Sequence, residues 1–189
     1  MVEALLLEER AYLLRCAREA IARRLQRAPQ PMLPDEGLTP RLRAPGASFV
    51  TLTLAGELRG CIGSLTPRRP LALDVRENAV AAAFEDPRFL PLTPAEFEQL
   101  HIEISVLTPH EPLDYTDAND LLQKLRPGVD GVVLEQGWHR ATFLPQVWEQ
   151  LPDPRDFLGH LCRKAQLPPH AWQRGDVDIS TYQVEKFGE

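Results

Sequence analysis

Apolar residues recur at intervals of three and four from Leu5 to about Gln26, where Leu7, Ala11, Leu14, Ala17, Ile21 and Leu25 are separated by charged positions. That spacing predicts one amphipathic helix burying this stripe, with Cys16 beside it. Glu8 and Glu9 near its start and Arg23, Arg24 and Arg27 near its end suit the helix dipole, a structural role. The same period runs from Leu71 to Phe84, with Leu71, Val75, Ala79 and Ala82 on one face. It returns after the Asp153-Pro154 cap, where Phe157, Leu158, Leu161, Cys162 and Ala165 align and make Cys162 a core residue. Thr93-Pro94-Ala95-Glu96 reads as a capping box opening a short helix to about Leu100. Asp117 to Leu125 reads as another short helix, and Pro145 opens a helical turn.

Elsewhere the period is two. Phe49-Val50-Thr51-Leu52-Thr53-Leu54 is rich in β-branched residues, and Ala55-Gly56-Glu57 offers a tight turn, which makes Leu58 to Ser64 the return strand of a hairpin. His101 to Leu107 alternates, with Ile102, Ile104 and Val106 inward and Glu103 and Ser105 toward water. Gly131 to Glu135, a Gln136-Gly137 turn and Trp138 to Leu144 form a second hairpin, and one last strand from about Asp178 to Phe187 should rejoin the main sheet. Pro29, Pro31, Pro34, Pro40 and Pro45 space out a stretch expected to lack regular structure. Hairpins interspersed with helices, without βαβ alternation, predict an α+β fold with an antiparallel sheet flanked by helices.

The chain's 189 residues suffice for one sizeable core, or for a main domain with a smaller appendage. No apolar run approaches the ~20 residues that span a bilayer, and the N-terminus lacks the order of a signal peptide, so a cytoplasmic location is expected. Three distant cysteines, Cys16, Cys61 and Cys162, with no C-x-x-C pair imply neither a disulfide framework nor a zinc knuckle, and no metal site is expected. A net charge of −6 argues against a broad nucleic-acid footprint; Arg59, Arg68, Arg69 and Arg76 form only a local group. Phosphate-loop, dinucleotide and H-E-x-x-H signatures are absent.

Candidate chemistry concentrates in Leu58-Arg59-Gly60-Cys61-Ile62-Gly63-Ser64. On a regular strand Arg59 and Cys61 share a face while Leu58, Gly60 and Ile62 take the other, and a guanidinium beside a thiol favours the reactive thiolate. Gly60 and Gly63 imply close approach of a ligand or another chain segment. The competing reading is a packed cysteine where two layers meet. A second cluster, Glu85-Asp86-Pro87-Arg88, either offers carboxylates and a guanidinium to a ligand or staples a helix end. His160 lies off the apolar stripe of its helix and is a further candidate ligand-binding residue; His110, between prolines, is expected to be exposed.

Five ordered stretches, Leu58 to Gly63, Ala83 to Phe89, Ile104 to Thr108, Phe143 to Trp148 and Leu161 to Ala165, together resemble the AMMECR one domain family. The likeness covers nearly the whole of 1–189. In bacteria it is similar to the protein A component of the AmmeMemoRadiSam system, associated with a Memo-type protein and a radical SAM protein. The resemblance implies a single domain with a larger subdomain built from both chain ends and a smaller interior one, with Leu58 to Gly63 as its signature. It names neither a reaction nor a cofactor. Gln166 stands where a glycine is usual in the family, and His110 where a proline is common.

Two functions follow. In the first, an enzyme or its substrate-handling subunit uses Cys61 in a cleft between the two parts, with Arg59, Gly60, Gly63, Ser64, Glu85, Asp86, Arg88 and His160 as candidate ligand-binding neighbours. In the second, a non-catalytic binding or adaptor protein acts with Memo-type and radical SAM partners, engaging a peptide or small molecule through Arg59, Gly60 and Gly63.

Overall fold

The computed structural model describes residues 4–33 and 38–189; Pro34, one of the expected helix-breaking prolines, lies outside them. In chain order the elements are α1 (Leu7–Leu25), α2 (Pro40–Arg43), β1 (Pro45–Leu54), β2 (Glu57–Gly63), β3 (Arg69–Pro70), α3 (Leu71–Phe84), α4 (Pro94–Phe97), β4 (Leu100–Leu107), β5 (Glu111–Pro112), α5 (Ala118–Lys124), β6 (Gly131–Gln136), β7 (His139–Phe143), α6 (Pro154–Lys164), β8 (Asp178–Tyr182) and β9 (Val184–Gly188). Short 3₁₀ turns cover Pro145–Glu149 and Ala171–Arg174. Helices and antiparallel sheets make this an α+β fold. Two compact units divide it, Met1–Leu107 with Glu185–Glu189, and Thr108–Val184.

In the first unit the sheet order is β2-β1-β4-β9, with β3 pairing the start of β1. Val50, Leu52, Ile102, Ile104 and Val106 face α3, whose Leu71, Val75, Ala79 and Ala82 are all buried; α1 packs on α3 and β4. Alanine along α3 lets helix and sheet approach closely. The expected stripe of α1 holds from Leu14 onward, with Ala17 and Ile21 buried and Leu14 and Leu25 packed on the core, but in the first turns Leu7 and Ala11 are exposed and Glu9 and Leu13 are buried instead. Glu9 enters the interior because its carboxylate has donors there, the Leu6 main-chain N–H and the Thr39 hydroxyl. The proline-rich stretch is not wholly irregular either, since the Thr39 hydroxyl caps α2 with Pro40 in its first turn. Helix α4 is a single turn held by the expected capping box, and Leu100 already belongs to β4. Ser105, read as facing water, is buried opposite Phe49.

In the second unit the order is β5-β8-β6-β7. Phe157, Leu158, Leu161 and Cys162 of α6 are buried with Val132, Leu134 and Ile179, and Trp148 stacks on Phe157 at 3.7 Å. His110 is half-buried rather than exposed, 5.0 Å from the Tyr182 ring, and burial lowers its pKa. The single terminal strand expected over 178–187 is two strands. Only β9 joins the main sheet; β8 pairs with β5 and β6, and Gln183 separates the two.

Candidate functional site

The turn joining β1 to β2 places Ala55 at φ 50° and Gly56 at φ 85°, the left-handed pair of a tight two-residue hairpin turn. From there the register runs Leu54↔Glu57 and Thr53↔Leu58, then jumps to Leu52↔Gly60 and Thr51↔Cys61. Arg59 is therefore the extra residue of a β-bulge. A bulge interrupts the alternation of side chains, so Leu58 shares the face of Cys61, contrary to the regular-strand expectation. That face carries the cross-strand row Cys61, Thr51 and Glu103, and it is the face turned away from α3.

Gly60 points the other way, toward α3. A Cβ built there would overlap the carbonyl oxygen of Ala82, and one built on Gly63 would overlap the Phe49 ring and the Ser48 carbonyl. The close approach that these glycines permit is to the chain's own helix and neighbouring strand.

Strand β2 is the sheet edge, and the outward main-chain groups of Cys61 find side-chain partners. Its N–H donates to Asp86 Oδ2 at 2.9 Å, and its C=O accepts from Arg88 Nη2 at 3.3 Å. Arg88 in turn donates to both carboxylate oxygens of Asp86, at 2.9 and 2.6 Å. The pair thus covers an edge that would otherwise be open. Arg88, with help from the Cys61 and Arg88 N–H groups, holds the buried Asp86 carboxyl far below the usual carboxylate range, against the effect of burial. The Asp86 side chain is 2% exposed and that of Arg88 is 53% exposed, so the clamp buries its anion and shows its cation. The half-buried Cys61 thiol lies 3.3 Å from the Thr51 hydroxyl. Arg88 reaches Cys61 through the main-chain carbonyl, not through the thiol.

Arg59 does something else. Its side chain, 11% exposed, pairs with Glu96 at 2.9 Å and donates to the Leu90 carbonyl at 2.8 Å. Its remaining nitrogen, Nη1, is buried without an acceptor, and the Phe89 ring centroid is 5.7 Å from the guanidinium carbon. A cation over an aromatic face is partly compensated for a missing hydrogen bond. Arg59, and secondly the Thr93 N–H, hold the Glu96 carboxyl down to about 2. Through these bonds Arg59 fixes the loop after Asp86 against β2; Leu90 of the loop is 84% exposed, and Leu58 of β2 is 44% exposed.

Ser64 leads to a cluster that the sequence reading passed over. Buried Asp74 on α3 accepts from the Ser48 N–H and hydroxyl, the Ser64 hydroxyl, Arg69 Nε and Asn78 Nδ2, at 2.7 to 2.9 Å. Asp74 and Asn78 stand four apart on the apolar face of a helix, a placement that signals a buried polar network. Glu85 is exposed at the end of α3, and His160 is exposed on α6 of the other unit. Of the local arginines, Arg69 is paired with Asp74 and Glu77, and Arg76 is bonded to the Pro31 carbonyl. Among the described residues no group of three His, Cys, Asp or Glu side chains gathers to hold a metal, and no helix is long and apolar enough to cross a membrane.

The AMMECR1 family model matches residues 14–187. A protein of Methanothermobacter thermautotrophicus is 39% identical over 96% of this chain and 95% of its own length, and one of Methanopyrus kandleri is 37% identical over 100% and 92%. The crystal structure of uncharacterized protein PH0010 from Pyrococcus horikoshii covers 94% of this chain and 90% of its own at 35% identity, with a TM-score of 0.77. With a family model spanning nearly the whole chain and relatives of matching length, the chain belongs to the AMMECR1 family.

Proposed function

We propose that this chain is a binding or adaptor protein whose signature edge is a preformed contact surface, working with a Memo-type or radical SAM partner. The observation that carries this is how the charged side chains of the motif are used. Arg59, Glu96 and Asp86 are committed to pinning the loop 86–90 onto β2, and the groups left facing outward are Leu58, Leu90 and the guanidinium of Arg88. An apolar side chain on the edge strand and another on the stapled loop, with the loop's Arg88 cation, suit a partner's apolar and acidic surface at little ordering cost. Co-purification of tagged chain with either partner tests it. Arg88→Ala and Leu90→Ser should each lose the partner while Cys61→Ser retains it; loss only in Cys61→Ser, or capture unaffected by all three, contradicts the reading.

A second reading has its own support in the thiol itself. Cys61 is half-buried, 3.3 Å from the Thr51 hydroxyl, on the sheet face turned away from α3, a placement suited to an enzyme or substrate-handling subunit that engages an electrophile. Glu85, exposed at the end of α3 in the same unit, remains a candidate ligand-binding residue for this reading. If alkylating Cys61 abolishes turnover of a substrate found by screening, this reading displaces the first.

A further inference from the structure

A cavity of about 150 Å³ lies between α1, the 30–33 segment and Arg76 of α3. Its inner wall is formed by buried Ala20 and half-buried Tyr12, Cys16 and Leu33. Three arginines also line it, the exposed Arg15 and Arg23 and the half-buried Arg76, against a single carboxylate, Glu19. In a chain of net charge −6 this is a local excess of positive charge over an apolar floor. Two of the three cations are held in place: Arg76 Nη1 donates to the Pro31 carbonyl at 2.6 Å, and the Arg15 guanidinium carbon is 6.0 Å from the Tyr12 ring centroid. The segment that forms the outer wall is tied down as well, by Gln30 donating to the Ala20 carbonyl at 2.8 Å. Met32, also lining the cavity, is 92% exposed.

We propose that this cavity binds a small amphipathic monocarboxylate, its ring or short chain against Tyr12, Cys16 and Leu33 and its carboxylate among Arg15, Arg23 and Arg76. The volume sets the size, since about 150 Å³ accommodates a benzene-sized group. The charges set the class, because guanidiniums beside a low-dielectric wall favour a carboxylate over a neutral group of the same shape. The site is independent of the Cys61 surface.

Cys16 supplies a reporter inside the site. Its thiol contacts the Ala72 carbonyl at 3.8 Å, and a ligand on the cavity floor would shield it. The rate of Cys16 modification by methyl methanethiosulfonate in mildly alkaline buffer, resolved by peptide mass spectrometry on the full chain, is measured with and without benzoate. So small a ligand is expected to bind with Kd of about 1 mM, so about 10 mM benzoate should slow Cys16 about tenfold. Benzyl alcohol should protect far less, and the Arg15→Gln, Arg23→Gln double variant, which changes two exposed positions, should lose the protection. Saturation-transfer NMR of benzoate gives the same occupancy without relying on the thiol. Absence of both protection and saturation transfer overturns the site; equal protection by benzyl alcohol, or undiminished protection in the double variant, overturns the assignment to carboxylates.

Discussion

The carboxylate of Asp86 accepts the main-chain N–H of Cys61 at 2.9 Å, so the central residue of the signature is held by its backbone rather than by its thiol. The chemistry of the side chain and the placement of the strand are thereby separated. Cys61 can be altered at sulfur without disturbing the clamp, and the clamp can be broken without touching sulfur.

Breaking the clamp should appear in acid. A carboxyl whose folded pKa is depressed contributes stability that is complete above its unfolded value of about 3.9 and is lost as pH falls toward the folded value. Asp86 is such a group, held low by Arg88, and Glu96, held down to about 2 by Arg59, is another. Urea melts from pH 7 downward should show stability falling below about pH 4, with a shallower fall in Asp86→Asn. Asp86→Ala, which strands the Cys61 N–H, should be about 2 kcal/mol less stable at pH 7. Superimposable pH profiles for wild type and Asp86→Asn would remove the clamp from the account.

Adding one methyl group at Gly60 should cost more than most surface changes. Strand and helix backbones would have to part, because the Ala82 carbonyl occupies the place of the new Cβ. We expect Gly60→Ala to lose about 3 kcal/mol, seen as a lower thermal midpoint. A midpoint within a degree or two of wild type would mean that α3 slides freely on β2.

The three thiols should react in a fixed order under native conditions. Cys61 is half-buried on a sheet face, burial pushes Cys16 up to about 11, and Cys162 is fully buried with its pKa also raised by burial. In an iodoacetamide time course near pH 8, Cys61 should label first, Cys16 more slowly and Cys162 only on unfolding. Labelling of Cys162 ahead of Cys61 in folded protein would contradict the packing described for both.

Two helix ends carry side chains where glycine fits better. Gln166 at φ 61° and Arg27 at φ 55° each follow a helix whose last carbonyls accept a paired set of bonds, Gln166 to Arg163 with Leu167 to Cys162, and Arg27 to Arg24 with Ala28 to Arg23. Both are Schellman ends, with a non-glycine residue in the left-handed region. Gln166→Gly and Arg27→Gly should each raise stability by about 0.5–1 kcal/mol in denaturant melts. Destabilisation in either would show that its side chain makes contacts outweighing the backbone strain.

What could be read from residues alone follows from the range of the forces involved. The burial of Leu71, Val75, Ala79 and Ala82, the Thr93 capping box and the hairpin turn at Ala55-Gly56 are local, and their patterns carry over intact. Arg59 was placed beside Cys61 by strict alternation, but the bulge that turns it toward Glu96 depends on pairing with β1, which no window of β2 contains. The partners of Asp74 come from four separate stretches of chain, so its role was visible only as an anomaly, an acid on an apolar helix face. Leu7 and Ala11 fit the helical period and still face water, because the core-facing side of the first turns of α1 carries Glu9 and Leu13.

The division of the last strand at Gln183 bears on how the chain is made. Thr108 and Gln183, at the two ends of the interior unit, are hydrogen-bonded to each other, Thr108 N–H to the Gln183 carbonyl at 2.9 Å and Gln183 N–H to the Thr108 hydroxyl at 2.8 Å. The interior unit is an insertion with adjoining ends, while the sheet that surrounds it in sequence must wait for β9. Because the interior unit precedes β9 along the chain, the outer sheet can be completed only after every residue of the insertion has been made.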